Sequence, residues 1–385
     1  MVVGTSSCRA LAQPFLGCNV YISAGGFRRH GPVLMDILQE TQEHCSRFQK
    51  ASDPTRALSM QESETEGCVV VHAFSDVVYN RSSIHLAGSE GALASVVADL
   101  VNRAQERLRE DADLNADTGT PFKQNVAHHP YVGLVDHVSI MPLETPQDNT
   151  SATNNDNRHS FPATVWGRAA RFIGESMASS QKTQVFYYGA ADPNNTPLAE
   201  VRRAKTQFFQ SGGLEKPASP RISTTPQQQQ HPKEDVAIVG APSGFVENFN
   251  IRLTSKCTKK MAQSLTRFVR ERDGGLPGVE ALTLPYIHGQ FETACNLLQP
   301  DIGSVHAIQT KVEEWASKMK VNMPDSSGES MGVDYFVAKS YRVGTTAEQC
   351  RLALDLVAQS DDQALKIHNQ QVRAHLKNYL RDFIF

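Results

Sequence analysis

The stretch Cys18-Asn-Val-Tyr-Ile-Ser23 is the first clear β-strand of this 385-residue chain, and the order of elements that starts there decides the fold. Residues 29–48 follow with apolar side chains at largely helical spacing, which predicts a helix. The next elements are two strands, a helix and a strand, predicted over 68–74, 82–87, 90–109 and 132–141. This β-α-β-β-α-β order is typical of the ferredoxin-like arrangement, in which helices cover one face of an antiparallel or mixed sheet.

The same rhythm of elements returns in the second half of the chain. Residues 211–234 contain Gly-Gly, several prolines and a run of glutamines, which indicates a low-complexity linker or insertion. The elements predicted after it are strands near 235–240, 246–253, 279–284, 291–298 and 333–342, and helices near 257–272, 304–320 and 345–360. A charged helix is predicted over the tail, residues 361–385, and we expect Leu376 and its apolar neighbours to dock onto the body.

Composition and charge exclude several classes of protein. The net charge is −3, so no basic excess points to nucleic acid or to an anionic membrane surface. No apolar run approaches the roughly 20 residues that span a bilayer. The first 15 residues do not resemble a secretory signal, and the seven cysteines are scattered without a Cys-x-x-Cys pair. We therefore expect reduced thiols and a cytoplasmic location.

The best candidate for catalysis is His129, in the run His128-His129-Pro-Tyr-Val-Gly-Leu-Val-Asp136. Imidazole can give and take a proton near neutral pH, and Asp136 could orient it if the fold brings the two together. The alternative is a surface loop with two histidines. A metal site would need His128, His129 and His137 to converge, and two adjacent histidines are not a usual chelating pair.

Three further segments carry polar residues between predicted elements. Asn80 and Arg81 supply an amide and a guanidinium fork, although Asn is also a normal residue of a hairpin turn. Residues 240–250 join two strands through small residues, either as an ordinary turn or as a ligand contact. Arg272 and Gly274 follow a helix and suit its C-terminal cap, or else a charged loop beside a ligand.

Taken together and in order, these segments resemble the formiminotransferase domain of glutamate formimidoyltransferases, and especially its plant-like single-domain relatives. The resemblance covers roughly residues 17 to 345. The segments that carry it are Asn19-Val-Tyr-Ile-Ser23, Asn80-Arg81, His129-Pro130-x-x-Gly133-x-x-Asp136, Tyr187-Tyr-Gly-Ala-Ala191 with Arg202-Arg203, Gly240-Ala241 through Asn248-Phe-Asn250, Gly274-Gly-Leu-Pro-Gly278 and Ala294-Cys-Asn-Leu-Leu298. An ordered set of this length is far more specific than any one of its members.

The resemblance implies an α+β fold of two ferredoxin-like α/β-sandwich subdomains with a ligand groove between them. We place the N-terminal subdomain at 17–210, the linker at 211–234, the C-terminal subdomain at 235–345 and a helical tail at 346–385. The implied reaction transfers a formimino group from N-formimino-L-glutamate to tetrahydrofolate, which is a co-substrate, with no metal. The implied partners are these small molecules and, by analogy with relatives, a second copy in a homodimer.

The resemblance also implies roles for residues. His129 matches the histidine of the family's His-Pro-Arg motif, which is the catalytic acid/base. Arg81 and Arg272 are the expected partners of the substrates' carboxylates. The full set expected to bind substrate or folate is Asn80, Arg81, Asp136, Gly240, Ala241, Gly244, Asn248, Asn250, Arg272 and Gly274.

The sequence departs from the family pattern at several positions. Tyr131 stands where the family has the arginine of His-Pro-Arg, and Ala24 stands where it has a glutamate. Asn125 and Ala127 replace the histidine and glycine usually found before His-Pro. Two alternatives to an active transferase follow: a folate-binding relative with altered or lost transfer, and an interaction protein that keeps only the scaffold.

Overall fold

The computed structural model describes residues 14–25, 30–50, 67–115, 129–144, 164–206, 208, 235–321 and 332–381. Its strands are β1 (Leu16–Ile22), β2 (Cys68–Asp76), β3 (Arg81–Gly88), β4 (Val135–Pro142), β5 (Gln184–Gly189), β6 (Val236–Ala241), β7 (Glu247–Leu253), β8 (Val279–Pro285), β9 (Phe291–Leu297) and β10 (Val337–Arg342). The linker predicted at 211–234 and the residue His128 lie outside the described residues.

The α-helices lie between and after these strands. They are α1 (His30–Lys50), α2 (Glu90–Asn115), α3 (Val165–Gln181), α4 (Leu198–Lys205), α5 (Lys259–Val269), α6 (Val305–Val321), α7 (Val333–Phe336), α8 (Ala347–Ala358) and α9 (Asp362–Arg381). Threonines begin three of them: Thr164, Thr258 and Thr346 each accept a hydrogen bond from a backbone N–H of the first turn. Such N-caps satisfy donors that the helix itself leaves unpaired.

The first sheet has six strands in the order β2-β3-β1-β4-β6-β5. Strands β1 to β4 pair antiparallel with one another and take the order that a β-α-β-β-α-β ferredoxin-like unit requires. Strand β6 then pairs in parallel with both β4 and β5. Helices α1, α2 and α3 cover one face of the sheet, where they enclose the larger hydrophobic core.

The second sheet repeats the ferredoxin-like order with four antiparallel strands, β10-β7-β9-β8. Helices α5 and α6 cover one of its faces around Trp315 and Phe336, which are 2% and 0% exposed. The predicted fold class, α+β with two ferredoxin-like subdomains, is confirmed by these two sheets.

Two predicted elements differ from the structure. The strand at 236–241, which we assigned to a second subdomain beginning at 235, belongs to the first sheet because its backbone pairs with β4 and β5. The strand predicted over 333–342 starts only at Val337. Residues Val333–Phe336 form a helical turn, and the side chain of Phe336 packs in the core of the second sheet.

The C-terminal helices α8 and α9 return to the first subdomain and pack beside β2. Leu376 is 1% exposed and joins the core of the first sheet, as expected. His368 hydrogen-bonds the carbonyl of Val70 at 2.9 Å, and the Tyr379 ring packs edge-on to Phe74. No helix of the described residues is both long and apolar enough to cross a membrane.

Candidate functional site

A cavity of about 1090 Å³ lies between the two sheets, and side chains of both sheets line it. Period-two alternation puts every second side chain of a strand on the same face of its sheet. The polar side chains that line it include Asn19 and Tyr21 from β1, His137 and Ser139 from β4, Asn248 and Asn250 from β7, and Asn296 from β9. We call this cavity the groove; both subdomains contribute its walls.

His129 lies on the groove wall, in the extended segment that leads into β4. Its Nδ1 is 2.7 Å from the carbonyl oxygen of Pro130 and 3.2 Å from Nη1 of Arg81. A carbonyl oxygen only accepts, so this shorter contact favours the tautomer that carries its proton on Nδ1. In that tautomer the longer approach of Arg81 is not a hydrogen bond, because both nitrogens are donors. The Nε2 lone pair is then the one available to accept a proton from a ligand.

The electrostatic surroundings keep His129 neutral. Burial lowers its pKa well below the usual 6.5, and the positive charge of Arg81 lowers it further. The bond to Pro130 acts in the opposite direction and is outweighed. At neutral pH the imidazole is therefore unprotonated, which is the form that a general base needs.

Asp136 contacts Arg81, and it reaches His129 only through that arginine. Its Oδ2 is 2.6 Å from Nη1 of Arg81, and its Oδ1 accepts a hydrogen bond from the Val132 amide at 2.7 Å. The carboxylate is 1% exposed. The interpretation that Asp136 orients the imidazole directly was wrong; the carboxylate fixes Arg81 and the loop that carries His129.

A chain of polar side chains joins the two sheets across the groove. The Tyr21 hydroxyl donates to Oδ1 of Asn248 at 2.7 Å, and Nδ2 of Asn248 donates to Oδ1 of Asn296 at 2.8 Å. The His137 ring stacks on Tyr21 with centroids 5.6 Å apart, and its Nε2 is 3.0 Å from the Tyr188 hydroxyl. These contacts hold the two walls at a fixed separation.

A buried acidic pair lies at the β2 side of the groove. Burial and the nearby Glu292 raise the pKa of Asp76 to about 6. Glu292 is fully buried, with Arg252 Nε at 2.8 Å and the Tyr341 hydroxyl at 2.7 Å. The carboxyl of Asp76 therefore titrates near pH 6.

The structure brings part of the sequence-predicted set to the groove. The residues that line it are His129, Arg81, Gly244, Asn248, Asn250 and Arg272. The Arg272 side chain is 62% exposed, so it lies at the rim.

The other members of the set do not line the groove, and each has a local role. Asn80 occupies the β2–β3 turn at φ 50° and donates to the Ser23 carbonyl. A Cβ on Gly240 would come within 2.0 Å of the Tyr188 ring. The carbonyl of Ala241 accepts a hydrogen bond from Ala190, and Gly274 ends the turn Glu271–Asp273 at φ 85°.

Several groove residues were missed by the sequence analysis as site residues. Tyr21, His137 and Ser139 each stand two residues from another polar residue of the same chain segment, and this alternation marks the face of the sheet that lines the groove. Arg202 and Asp76 carry no such signal, because only the tertiary arrangement turns them into the cavity. Among the described residues, no three His, Cys, Asp or Glu side chains gather as metal ligands.

The fold and the groove define a two-subdomain α+β protein with a ligand cavity between the subdomains. The formiminotransferase domain family, in its N-terminal subdomain, matches residues 49–242. The chain belongs to this family, as the sequence resemblance indicated. It is also 26% identical over 258 residues to a formiminotransferase cyclodeaminase-like protein of Arabidopsis thaliana, a match that covers 63% of this chain and 76% of that protein.

Solved structures add no functional information. The chain is similar to the periplasmic protease PqqL of Escherichia coli, at 11% identity and a TM-score of 0.18, over 97% of this chain and 42% of that one. It is similar to pitrilysin at 14% identity and a TM-score of 0.19, over 96% of this chain and 46% of that one. The chain spans less than half the length of each protease, and at these TM-scores the likeness carries no argument.

Proposed function

We propose that the protein transfers a formimino group from N-formimino-L-glutamate to tetrahydrofolate, with His129 as the acid/base. The observation that carries this proposal is the neutral imidazole of His129 on the wall of a groove that both subdomains line. Membership in the formiminotransferase family supports the reaction class. The cavity of about 1090 Å³ is large enough for a pterin and an amino acid side by side.

The chemistry requires one group that both accepts and donates a proton. The folate amine attacks the formimino carbon and forms a new C–N bond, which gives a tetrahedral adduct. Nε2 of His129 takes the proton that the attacking nitrogen loses. The same proton then passes to the glutamate nitrogen, whose bond to carbon breaks, so that glutamate leaves as an amine and the imidazole is neutral again.

The test is a transfer assay with N-formimino-L-glutamate and tetrahydrofolate, comparing wild type, His129→Ala and His306→Ala. His306 is an exposed histidine on α6 and is the matched control. We expect His129→Ala to lower kcat by about 10²- to 10⁴-fold, the usual contribution of a general acid/base. His306→Ala should keep wild-type turnover. Full activity of His129→Ala would exclude the proposed role.

The pH dependence gives a second readout. Because the His129 pKa is lowered, its neutral form persists below pH 6.5. We expect kcat/KM to stay level down through pH 6.5 and to fall only at more acidic pH.

A folate-binding relative without transfer is the second candidate. Tyr131 takes the place of the family arginine, and its side chain is 53% exposed, so it supplies no charge beside His129. This candidate predicts a saturable calorimetric titration with tetrahydrofolate, and no product from N-formimino-L-glutamate. A flat titration would exclude both candidates.

A further inference from the structure

Arg202 projects from helix α4 into the groove while its neighbour Val201 anchors the helix in the protein. The guanidinium carbon lies 4.1 Å from the centroid of the Phe208 ring. Stacking of this kind fixes the plane of the guanidinium and leaves its donor edge open to a ligand.

The guanidinium of Arg202 is poorly compensated. Its Nε is buried and donates to no acceptor within the described part of the chain. Asp136 and Glu280 attract it electrostatically, but neither forms an ion pair with it, and burial outweighs both and lowers its pKa. A partly buried cation that has no ion pair among the described residues is costly, so its retention needs an explanation.

The other arginines of the groove differ from Arg202 in this respect. Arg81 has Asp136 at 2.6 Å, and Arg203 is exposed to solvent. Arg270 pairs with Asp273, and Arg272 is mostly in water. Among the groove arginines of the described residues, Arg202 is therefore the one that is neither ion-paired nor largely exposed to water.

Arg202 also lies at the His129 side of the groove. After burial, the positive charge of Arg202 is one of the causes that lower the pKa values of His129 and His137. It also acts to lower the pKa of Tyr21, where burial has the larger and opposite effect. An anion bound to Arg202 would thus lie close to the imidazole, and would offset part of the field that holds it neutral.

We propose that Arg202 is the carboxylate-binding residue of the groove and that it takes a carboxylate of an acidic amino acid. The fork geometry of a guanidinium matches a carboxylate with two parallel hydrogen bonds, which a lysine cannot reproduce. The acidic amino acid is the donor class of the reaction proposed above, and this part of the inference rests on that proposed function. The carboxylate site itself stands on the geometry alone.

The test is a calorimetric titration with glutarate, a dicarboxylate of glutamate length, and with its uncharged diamide. Wild type should bind glutarate saturably and the diamide at least tenfold more weakly. Arg202→Gln should weaken glutarate binding by tenfold or more, and Arg202→Lys should lie between the two. The matched control is Arg47→Gln, at an exposed arginine on α1, which should bind as wild type does. Absence of saturable binding by wild type, or equal affinity in Arg202→Gln, would overturn the proposal.

Thermal unfolding separates a binding role from a structural one. Removal of an uncompensated buried charge should leave the ligand-free Tm of Arg202→Gln unchanged or raise it. A fall of several degrees would mark Arg202 as a structural residue and overturn the proposal.

The transfer assay separates this inference from the proposed function. Glutarate binding through Arg202 with no turnover by wild type would uphold the carboxylate site and remove the reaction. Turnover by Arg202→Gln with an unchanged KM for N-formimino-L-glutamate would uphold the reaction and remove the site.

Discussion

Arg81 contacts both the imidazole of His129 and the carboxylate of Asp136. The guanidinium lowers the pKa of His129, while Asp136 compensates part of its charge. The charge around His129 therefore depends also on Asp136, which does not line the groove. The sequence motif cannot show this arrangement. The spacing of seven residues between His129 and Asp136 does not indicate that Arg81 contacts both of them.

We predict that Asp136→Asn destabilises the protein by about 3–5 kcal/mol, because it leaves the charge of Arg81 buried and unpaired. The pKa of His129 should fall further, since the field of Arg81 is no longer offset. Urea unfolding measures the first effect and an NMR titration of the His129 ring the second.

Asp99→Asn is the control, because Asp99 is 37% exposed and pairs with Arg103 on the surface. Exposed pairs contribute about 1 kcal/mol or less. Equal losses in the two variants would show that Asp136 does not act as a buried counter-ion.

At the scale of elements, β6 shows what periodicity can and cannot predict. The apolar run here predicts a strand near 235–240, and the structure has one at Val236–Ala241. Its partners are β4 and β5, which lie far away in the sequence. A hydrophobic pattern indicates that a segment is extended and buried, but it does not indicate which sheet contains that segment. The positions of the strands and helices were therefore predicted well. The subdomain to which β6 belongs was predicted wrongly.

Gly240 of β6 gives an element-scale prediction. A Cβ there would meet Tyr188 Cδ1 at 2.0 Å, and Tyr188 hydrogen-bonds His137 in the groove. We expect Gly240→Ala to lower the unfolding free energy by about 1–3 kcal/mol, as overpacked cores do. It should also perturb the NMR signals of the His137 ring.

Gly332→Ala is the matched control, because nothing lies within 4 Å of a Cβ built there. Its unfolding free energy should stay within about 0.5 kcal/mol of wild type, as at an open surface position. A neutral Gly240→Ala would mean that Tyr188 moves aside without loss.

For the whole molecule, buried histidines make stability depend on pH. The pKa values of His85, His129 and His137 are lowered well below 6.5, and that of His72 to about 4, in each case mainly by burial. Below pH 6.5 the unfolded chain binds protons at these residues that the folded chain does not. Unfolding free energy therefore falls as the pH drops below 6.5.

Asp76 acts in the opposite direction. Its folded pKa of about 6 lies above the usual 3.8, so its contribution to stability is fully present below pH 3.8 and is lost as the pH rises through 6. One carboxyl opposes four histidines, so the histidines decide the sign of the slope between pH 5 and 6.5.

We predict a net loss of stability from pH 7 to pH 5, with up to about 1.4 kcal/mol per pH unit for each histidine. Urea unfolding at several pH values measures the slope. His85→Asn should reduce the slope whatever its effect on absolute stability, and His306→Ala should leave it unchanged. A flat profile would mean that the histidines are protonated in the folded protein.

The sheet order also has a consequence for synthesis on the ribosome. Strand β5 lies at the edge of the first sheet, and β6 is its neighbour among the described strands. In the sequence, the whole segment between Gly189 and Val236 separates these two strands. The first subdomain therefore cannot complete its sheet until translation has passed Ala241. Until then β4 offers an unpaired edge to chaperones or to other nascent chains. A pause in translation before β6 has left the ribosome would lengthen that exposure, whereas a pause after its emergence would not.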